Sequence, residues 1–360
     1  EQEALAKYTG WGHSGQMFAD DRTGRWKDLH DEVKGLLSTE DYETARRSSQ
    51  YAHYTSADVI RSVWGAVTDA FGFRGGRMLE PGAGIGHFIG MVPGDVRART
   101  HATAIEMDAT SASIMKALYP GHNVVHAPYQ KVKLAPGSVD LAIGNPPFGD
   151  IVIADPAYDA VKPRIHDYFF LKSLDAVRPG GVLAFITSKG TMDKASTKAR
   201  MEIAARADFV GAVRLPNSAF VKNAHTKVVT DVVILQKRAP DAPMSERTKA
   251  FINTSKIADP AGIGPIEVNR FYADNPHMIV GTMQRVKSGG LRGADEATVL
   301  APDGTDLAGE LRTRLDSLAP YVDKEAFSGQ RSEAAQAEAP MAAMVAENKI
   351  GGRREGSYFL

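Results

Sequence analysis

The feature that most constrains the fold is a regular alternation of short apolar runs and helix-period segments over residues 55–238. Apolar runs predict seven strands, at 77–79, 102–106, 123–126, 140–144, 182–187, 209–214 and 228–236, with helices at 55–71, 110–118, 168–177 and 194–207. This alternation favours an α/β domain built on a mostly parallel sheet. The sequence therefore predicts a Rossmann-like sheet of seven strands flanked by helices.

Composition narrows the chemistry that such a domain can carry. The chain has no cysteine, which excludes disulfides, cysteine-bound zinc and the thiolate nucleophile needed to methylate a ring carbon of cytosine. Its 10 histidines show no metal-binding spacing, so no metal site is predicted. Basic and acidic residues number 43 each, which argues against strong DNA binding unless a local patch or a partner domain supplies it.

A glycine-rich loop, EPGAGIGHF at residues 80–88, follows the first predicted strand. Glycines permit a tight turn and let the backbone approach a ligand closely. Glu106 ends the next strand, where an acidic residue can accept hydrogen bonds from ribose hydroxyls. Glu80 lies where it could hold the amino group of a ligand. A plain turn between a strand and a helix is the alternative, but the two acids favour cofactor binding.

A second loop, GNPPFG at residues 144–149, follows the fourth predicted strand. Carboxyl ends of parallel strands meet at one edge of the sheet, so this loop should face the same crevice. The side-chain oxygen of Asn145 and the carbonyl of Pro146 could accept the two hydrogens of an –NH₂ group. Phe148 offers an aromatic face on which a base could stack.

Together, these loops resemble the cofactor loop and the catalytic loop of amino-methyltransferases, and the chain resembles N6-adenine DNA methyltransferases. The AHYTS segment at residues 52–56 resembles their methionine-binding motif. The segments at 180–187, 215–220 and 230–237 resemble modification subunits of type I restriction systems. Further segments, YTGWG at 8–12, IHDYFF at 165–170 and GTMDK at 190–194, resemble the methylase region of large phage and plasmid methylase–helicase proteins.

The resemblance implies a class I fold that depends on S-adenosylmethionine, with N- and C-terminal extensions at residues 1–50 and 239–360 around a catalytic domain at 51–238. The C-terminal extension would contact DNA or lead into a helicase region. Double-stranded DNA is the implied partner. The implied site residues are Tyr54, Thr55, Glu80, Gly82, Gly84, Glu106, Met107 and Asn145 for the cofactor, and Asn145, Pro146, Pro147 and Phe148 for catalysis.

Several alternatives stay open from the sequence. The same loop could serve methylation of cytosine N4, of RNA or of a protein, or the chain could be a non-catalytic DNA-binding region of a helicase. An oxidoreductase using NAD would share the glycine loop but has no use for the second one. Without a signal sequence or a long apolar run, we expect a protein of the bacterial cytoplasm, associated with the nucleoid and not with a membrane.

Three further expectations concern regions outside these loops. The basic residues Lys189, Lys194, Lys198 and Arg200 would either contact phosphates or lie on a solvated helix face. Tyr129 or Gln130 could replace an acidic residue that relatives place near the cofactor's adenine ring. Residues 239–260 are predicted to be a connecting segment, and residues 331–348 an exposed helix or a disordered stretch.

Overall fold

The computed structural model describes residues 2–8, 10–11, 14–49, 55–220, 228–287 and 296–329, together with three short strands between 342 and 354. The strands are β1 Gly76–Pro81, β2 Thr100–Glu106, β3 Asn123–His126, β4 Val132–Leu134, β5 Val139–Gly144, β6 Val177–Ser188, β7 Ala207–Leu215, β8 Thr230–Lys237, β9 Thr254–Ile257, β10 Ile266–Asn269, β11 Thr282–Val286, β12 Glu296–Leu300, β13 Ala342–Met344, β14 Lys349–Ile350 and β15 Arg353–Arg354.

A seven-stranded sheet in the order β3-β2-β1-β5-β6-β8-β7 forms the centre of the molecule. Strands β3, β2, β1, β5 and β6 are parallel, whereas β8 runs antiparallel to both of its neighbours. Strands β1 and β5 are buried along their whole length, as expected for a sheet covered on both faces. The predicted fold class, a Rossmann-like, mostly parallel seven-stranded sheet flanked by helices, is confirmed.

Helices cover the sheet and form both extensions of the chain. They are α1 Gln2–Leu5, α2 Gly15–Phe18, α3 Arg25–Leu36, α4 Thr39–Ser48, α5 Ala57–Gly65, α6 His87–Gly90, α7 Gly94–Arg97, α8 Ala109–Leu118, α9 Ile165–Ala176, α10 Lys189–Asp193, α11 Lys198–Arg206, α12 Glu246–Ile252, α13 Arg270–Asp274, α14 Leu307–Asp316 and α15 Lys324–Ser328. None of the described helices is long and apolar enough to cross a bilayer.

All seven predicted strands are present, but β6 begins at Val177, earlier than the predicted residue 182. Gly180 has a φ of 78°, and the pairing with β5 shifts register near Val139. The Arg178 guanidinium donates to the Asp140 carboxylate at 2.5 Å, which holds this irregular start against the sheet. Residues 178–181, between the predicted helix and the predicted strand, therefore form an irregular first part of the strand.

The N-terminal extension has a small hydrophobic core of its own. Met17, Phe18 and Ala45 are buried together, and Trp11 packs edge-on against Phe18 with ring centroids 5.9 Å apart. This contact gives Trp11 a packing role. The buried His30 links helices α3 and α4, because its Nε2 lies 2.9 Å from the hydroxyl of Tyr42.

The segment after β8 shares the hydrophobic core of the sheet. The prediction that residues 239–260 are a connecting segment is therefore wrong. They form α12 and β9. Ser245 caps α12 by accepting a hydrogen bond from the Thr248 amide, and Phe251 stacks on Phe209 of β7 with centroids 4.5 Å apart. One buried aromatic side chain and a good cap outweigh the prolines nearby. Of residues 331–348, only 342–344 lie within the described residues, as strand β13, so the prediction of an exposed helix or a disordered stretch stays a prediction for the others.

A buried ionic network joins this segment to the sheet. Arg214 of β7 is fully buried and makes a bidentate pair with Asp231 of β8, at 2.8 and 2.9 Å. It also donates to Asp193 at 2.6 Å, and the hydroxyl of Tyr272 from α13 donates to Asp231 at 2.7 Å. Since a buried charge is costly without partners, this network depends on all of its members.

Candidate active site

The two predicted loops lie side by side at the carboxyl ends of β1, β2 and β5. The clearest contact is at Gly82, whose φ of 67° suits glycine. A Cβ atom at Gly82 would come within 2.8 Å of Pro147 Cδ and 3.4 Å of a Phe169 ring carbon. A Cβ at Gly144 would lie 3.5 Å from Glu80 Cγ. The backbone of the glycine loop therefore packs directly against the second loop.

Glu106, at the end of β2, is buried and bridges the glycine loop to the start of α8. Its carboxylate accepts from the Gly84 amide at 2.8 Å and from the Asp108 amide at 2.7 Å. Burial raises the pKa of Glu106 to about 7, although these amide donors act in the opposite direction. The Met107 amide also hydrogen-bonds to Glu106. A carboxylate has about four acceptor positions, so the three amides leave about one for a hydroxyl group of a ligand.

Glu80, at the end of β1, is also buried and caps the short helix α6. Its oxygens accept from the amides of Phe88 and Ile89, at 3.3 and 3.0 Å. Burial raises the pKa of Glu80 to about 8. The sequence predicted a ligand contact at this position, and the structure adds a helix-capping role.

Asn145 is oriented by Thr55, a residue 90 positions earlier in the chain. The Asn145 side-chain nitrogen donates to the Thr55 hydroxyl at 3.1 Å, and Thr55 is only 7% exposed. Ser56, the next residue, caps α5 by accepting from the Val59 amide, which fixes the position of Thr55. The segment predicted to contact a cofactor therefore contacts the predicted catalytic residue.

The rest of the second loop is largely enclosed by the protein. Pro146 is buried and Pro147 is half-buried against Gly82. Phe148 is 7% exposed, so little of its ring faces solvent. Its predicted stacking on a base stays a prediction.

Two other predicted cofactor residues have different outcomes. Met107 is half-buried directly after Glu106, and its carbonyl oxygen lies 3.2 Å from His126 Nε2. Tyr54 lies outside the described residues. Among the residues that the structure describes, no cluster of acidic residues and histidines could hold a metal ion.

Of the two residues suggested to replace an acidic cofactor contact, Tyr129 has its side chain in the core, and a contact by Gln130 stays a prediction. Tyr129 is buried in the core, where its hydroxyl lies 2.9 Å from the Ser173 hydroxyl. Its ring packs on Phe169 with centroids 4.6 Å apart. A ring held in this way faces the core, so Tyr129 has a packing role.

The predicted basic run does not form one surface. Arg200 is buried and donates to the carbonyls of Ile252 and Thr191, at 2.9 and 3.4 Å, so a phosphate contact by Arg200 is excluded. Lys189 pairs with Glu296 at 2.9 Å. Lys198 is exposed on α11, and a phosphate contact there stays a prediction.

Sequence reasoning missed two residues beside Glu106. Asp108 is buried and caps α8 by accepting from the Ser111 amide at 2.7 Å. The second is Tyr8, whose hydroxyl oxygen is buried near Glu106 and Asp108. The YTGWG segment was a visible signal, but nothing in its spacing assigned it to this pocket.

Comparison with known proteins supports the resemblance seen in the sequence. The chain is 28% identical over 267 residues to the defense against restriction protein B of Escherichia phage P1, covering 71% of this chain and 11% of the relative. It is 32% identical over 165 residues to the type II methyltransferase M.XamI of Xanthomonas campestris pv. amaranthicola, covering 39% of this chain and 30% of the relative. The chain is therefore similar to a phage protein of defense against restriction and to a type II methyltransferase.

No protein-family model matches the chain. A solved structure, the methyltransferase subunit of a type I restriction-modification system from Streptococcus thermophilus, aligns with a TM-score of 0.45 and 14% identity, covering 62% of this chain and 57% of that chain. The matched region is about a tenth of the phage relative and under a third of the methyltransferase relative.

Proposed function

We propose that this chain is an S-adenosylmethionine-dependent DNA methyltransferase of the restriction-modification type, and that it methylates the N6 amine of a flipped adenine. The observation that carries the proposal is the contact between the two loops. The Asn-Pro-Pro-Phe segment at 145–148 packs on Gly82 of the loop that would hold the cofactor. A methyl acceptor held by one loop would therefore lie beside a methyl donor held by the other.

The acidic residues that end β1 and β2 fit S-adenosylmethionine, the cofactor that the fold and the methyltransferase relatives imply. Glu106 retains an acceptor position for a ribose hydroxyl, and Glu80 is a buried acid at the start of the glycine loop that could pair with an ammonium group. The backbone of that loop can lie against a ligand because Gly82, Gly84 and Gly86 all have positive φ. When bound, the cofactor supplies an electrophilic methyl group.

The catalytic work of the protein in this proposal is orientation. The Asn145 oxygen and the Pro146 carbonyl accept the two hydrogens of the target amine, which directs the nitrogen lone pair towards the donor. Thr55 holds the Asn145 amide so that its nitrogen points away from the target amine. Positioning of this kind supplies much of the rate in transfer reactions, and an adenine must leave the base stack to reach such a site.

The hairpin of β11 and β12 is the element that we propose to contact DNA. Strands β6 and β7 end at the same edge of the sheet as β5. There, Lys189 pairs with Glu296 of β12, and the amide of Asn217 donates to the carbonyl of Val299 at 3.0 Å. The hairpin is therefore anchored at the edge of the sheet at which β5 also ends, and this supports the proposal that a duplex lies against it.

The test is transfer of a labelled methyl group from S-adenosylmethionine to unmethylated duplex DNA, followed by nucleoside analysis. We expect N6-methyladenine with the wild-type chain and none with Asn145→Ala. The far-ultraviolet circular dichroism spectra of both proteins should agree, which separates a loss of activity from a loss of folding.

Other outcomes of the same experiment distinguish the alternatives. N4-methylcytosine would keep the mechanism and change the base. Label in RNA or protein but not in DNA would overturn the assignment of substrate. Cofactor binding without transfer to any of these acceptors would favour a non-catalytic DNA-binding role beside a helicase.

A further inference from the structure

The N-terminal segment lies against the cofactor side of the sheet. Helix α1 packs against α8, the helix that follows Glu106. The Tyr8 amide donates to the Leu5 carbonyl at 3.1 Å, so Tyr8 continues the turn of α1, and Gly10, with a φ of 62°, turns the chain away. This path brings Tyr8 close to the end of β2 and the start of α8.

The hydroxyl of Tyr8 is buried, and within the described part of the chain it has no hydrogen-bond partner. A buried polar group without a partner is rare and costs free energy. Its charged neighbours are Asp108 and Glu106. Burial, together with these two acids, raises the pKa of Tyr8 above its ordinary value, so the hydroxyl stays protonated and remains a donor.

Both neighbouring acids are already engaged by backbone amides. Glu106 accepts from Gly84 and Asp108, while Asp108 accepts from Ser111 at the start of α8. The hydroxyl therefore lies near two carboxylates that are held in place by other donors. A ligand oxygen brought to this position would provide the missing partner.

We propose that Tyr8 is a cofactor-binding residue, whose hydroxyl donates a hydrogen bond to a ribose hydroxyl oxygen of the nucleoside held by Glu106. The inference rests on the proposed function, since it assumes that Glu106 holds a ribose. Each ribose hydroxyl can donate to a carboxylate and accept from a phenol at once. Glu106 and Tyr8 thus provide complementary partners for the same group.

This arrangement gives the N-terminal extension a role in the reaction. Tyr8 would contact the nucleoside, while Trp11 packs in the small core of the extension. Phenylalanine at position 8 would preserve the packing and remove only the hydroxyl. A purely structural role for Tyr8 therefore predicts no loss of ligand affinity in Tyr8→Phe.

The test is calorimetric titration of S-adenosylhomocysteine into the wild-type chain, Tyr8→Phe and the control Tyr321→Phe, whose tyrosine is 54% exposed. Tyr8→Phe should raise the Kd about 3- to 10-fold, the effect of one hydrogen bond, and the control should not. With an analogue that lacks both ribose hydroxyls, the wild-type chain and Tyr8→Phe should bind equally. In turnover, the KM for S-adenosylmethionine should rise while kcat stays unchanged.

Each contrary result has a distinct meaning. If Tyr8→Phe binds S-adenosylhomocysteine as the wild-type chain does, Tyr8 does not contact the ligand, although the proposed function stands. A loss of affinity that persists with the analogue overturns the assignment to ribose. If the wild-type chain binds no S-adenosylhomocysteine, the proposed function itself fails, and the inference fails with it.

Discussion

The hydrogen bond between Thr55 and Asn145 leads to a prediction that separates two roles of Thr55. The sequence resemblance assigns Thr55 to the methionine part of the cofactor, whereas the structure shows its hydroxyl accepting from the Asn145 amide at 3.1 Å. Thr55→Val replaces the hydroxyl by a methyl group of similar size. The variant should therefore fold normally but lose the interaction that orients Asn145.

The magnitude follows from one buried neutral hydrogen bond. Such a bond contributes about 0.5–1.5 kcal/mol, and each 1.36 kcal/mol of barrier changes a rate about tenfold. We therefore expect kcat of Thr55→Val to fall about two- to twelve-fold. Thr55→Ser keeps the hydroxyl and should retain most of the wild-type rate.

Single-turnover transfer at saturating cofactor and DNA measures this step, with Asn145→Ala as the lower limit and thermal unfolding as the check on folding. The reasoning is refuted if Thr55→Val transfers at the wild-type rate, or if Thr55→Ser loses as much as Thr55→Val. A rise in the Kd for S-adenosylhomocysteine with unchanged kcat would instead support the contact with the cofactor.

Three further predictions test the pocket and the fold. Because the pKa of Glu80 is about 8 in the free protein, binding of a cationic amino group at pH 7 should release a proton from Glu80. Calorimetry in two buffers of different ionisation enthalpy should detect this proton release, and Glu80→Gln should reduce the number of protons released. Gly82→Ala should lower kcat/KM about tenfold or more relative to Gly262→Ala. Both glycines have a similar positive φ, 67° and 71°, but only a Cβ at Gly82 meets other atoms. Equal losses in the two variants would exclude the contact between the loops. Arg214→Met should lower the free energy of unfolding by about 3–5 kcal/mol, whereas Arg270→Met in an exposed pair should lower it by less than about 1 kcal/mol. Urea denaturation measures both values, and similar losses in the two variants would contradict the role given to the buried network.

The sheet and both site loops could be predicted because their signals are local. A strand buried on both faces is a continuous apolar run, and the acid or asparagine that ends it is the next polar residue along the chain. Since parallel strands end at one edge, Glu80, Glu106 and Asn145 could be expected to meet before any coordinates were known. Their meeting follows from topology and needs no knowledge of side-chain packing.

What the sequence could not predict depends on contacts between distant segments. Arg200 resembles a surface residue of a basic helix, but two carbonyl groups from other elements enclose it. Tyr8 lies about a hundred positions from Glu106, and no periodicity links them. The start of β6 was missed because an arginine and a carboxylate, not a run of apolar residues, hold it in the sheet.

The sheet and the segment after β8 share one hydrophobic core, and this has a consequence for anyone who shortens or recombines the chain. Arg178 donates to the carbonyls of Ala326 and Phe327, each at 2.8 Å, and Gln236 donates to the carbonyl of Asp323 at 2.9 Å. A fragment cut after residue 238 would lose these partners and expose the apolar surface that they cover. A shortened or recombined chain should therefore keep Asp323, Ala326 and Phe327 together with the sheet.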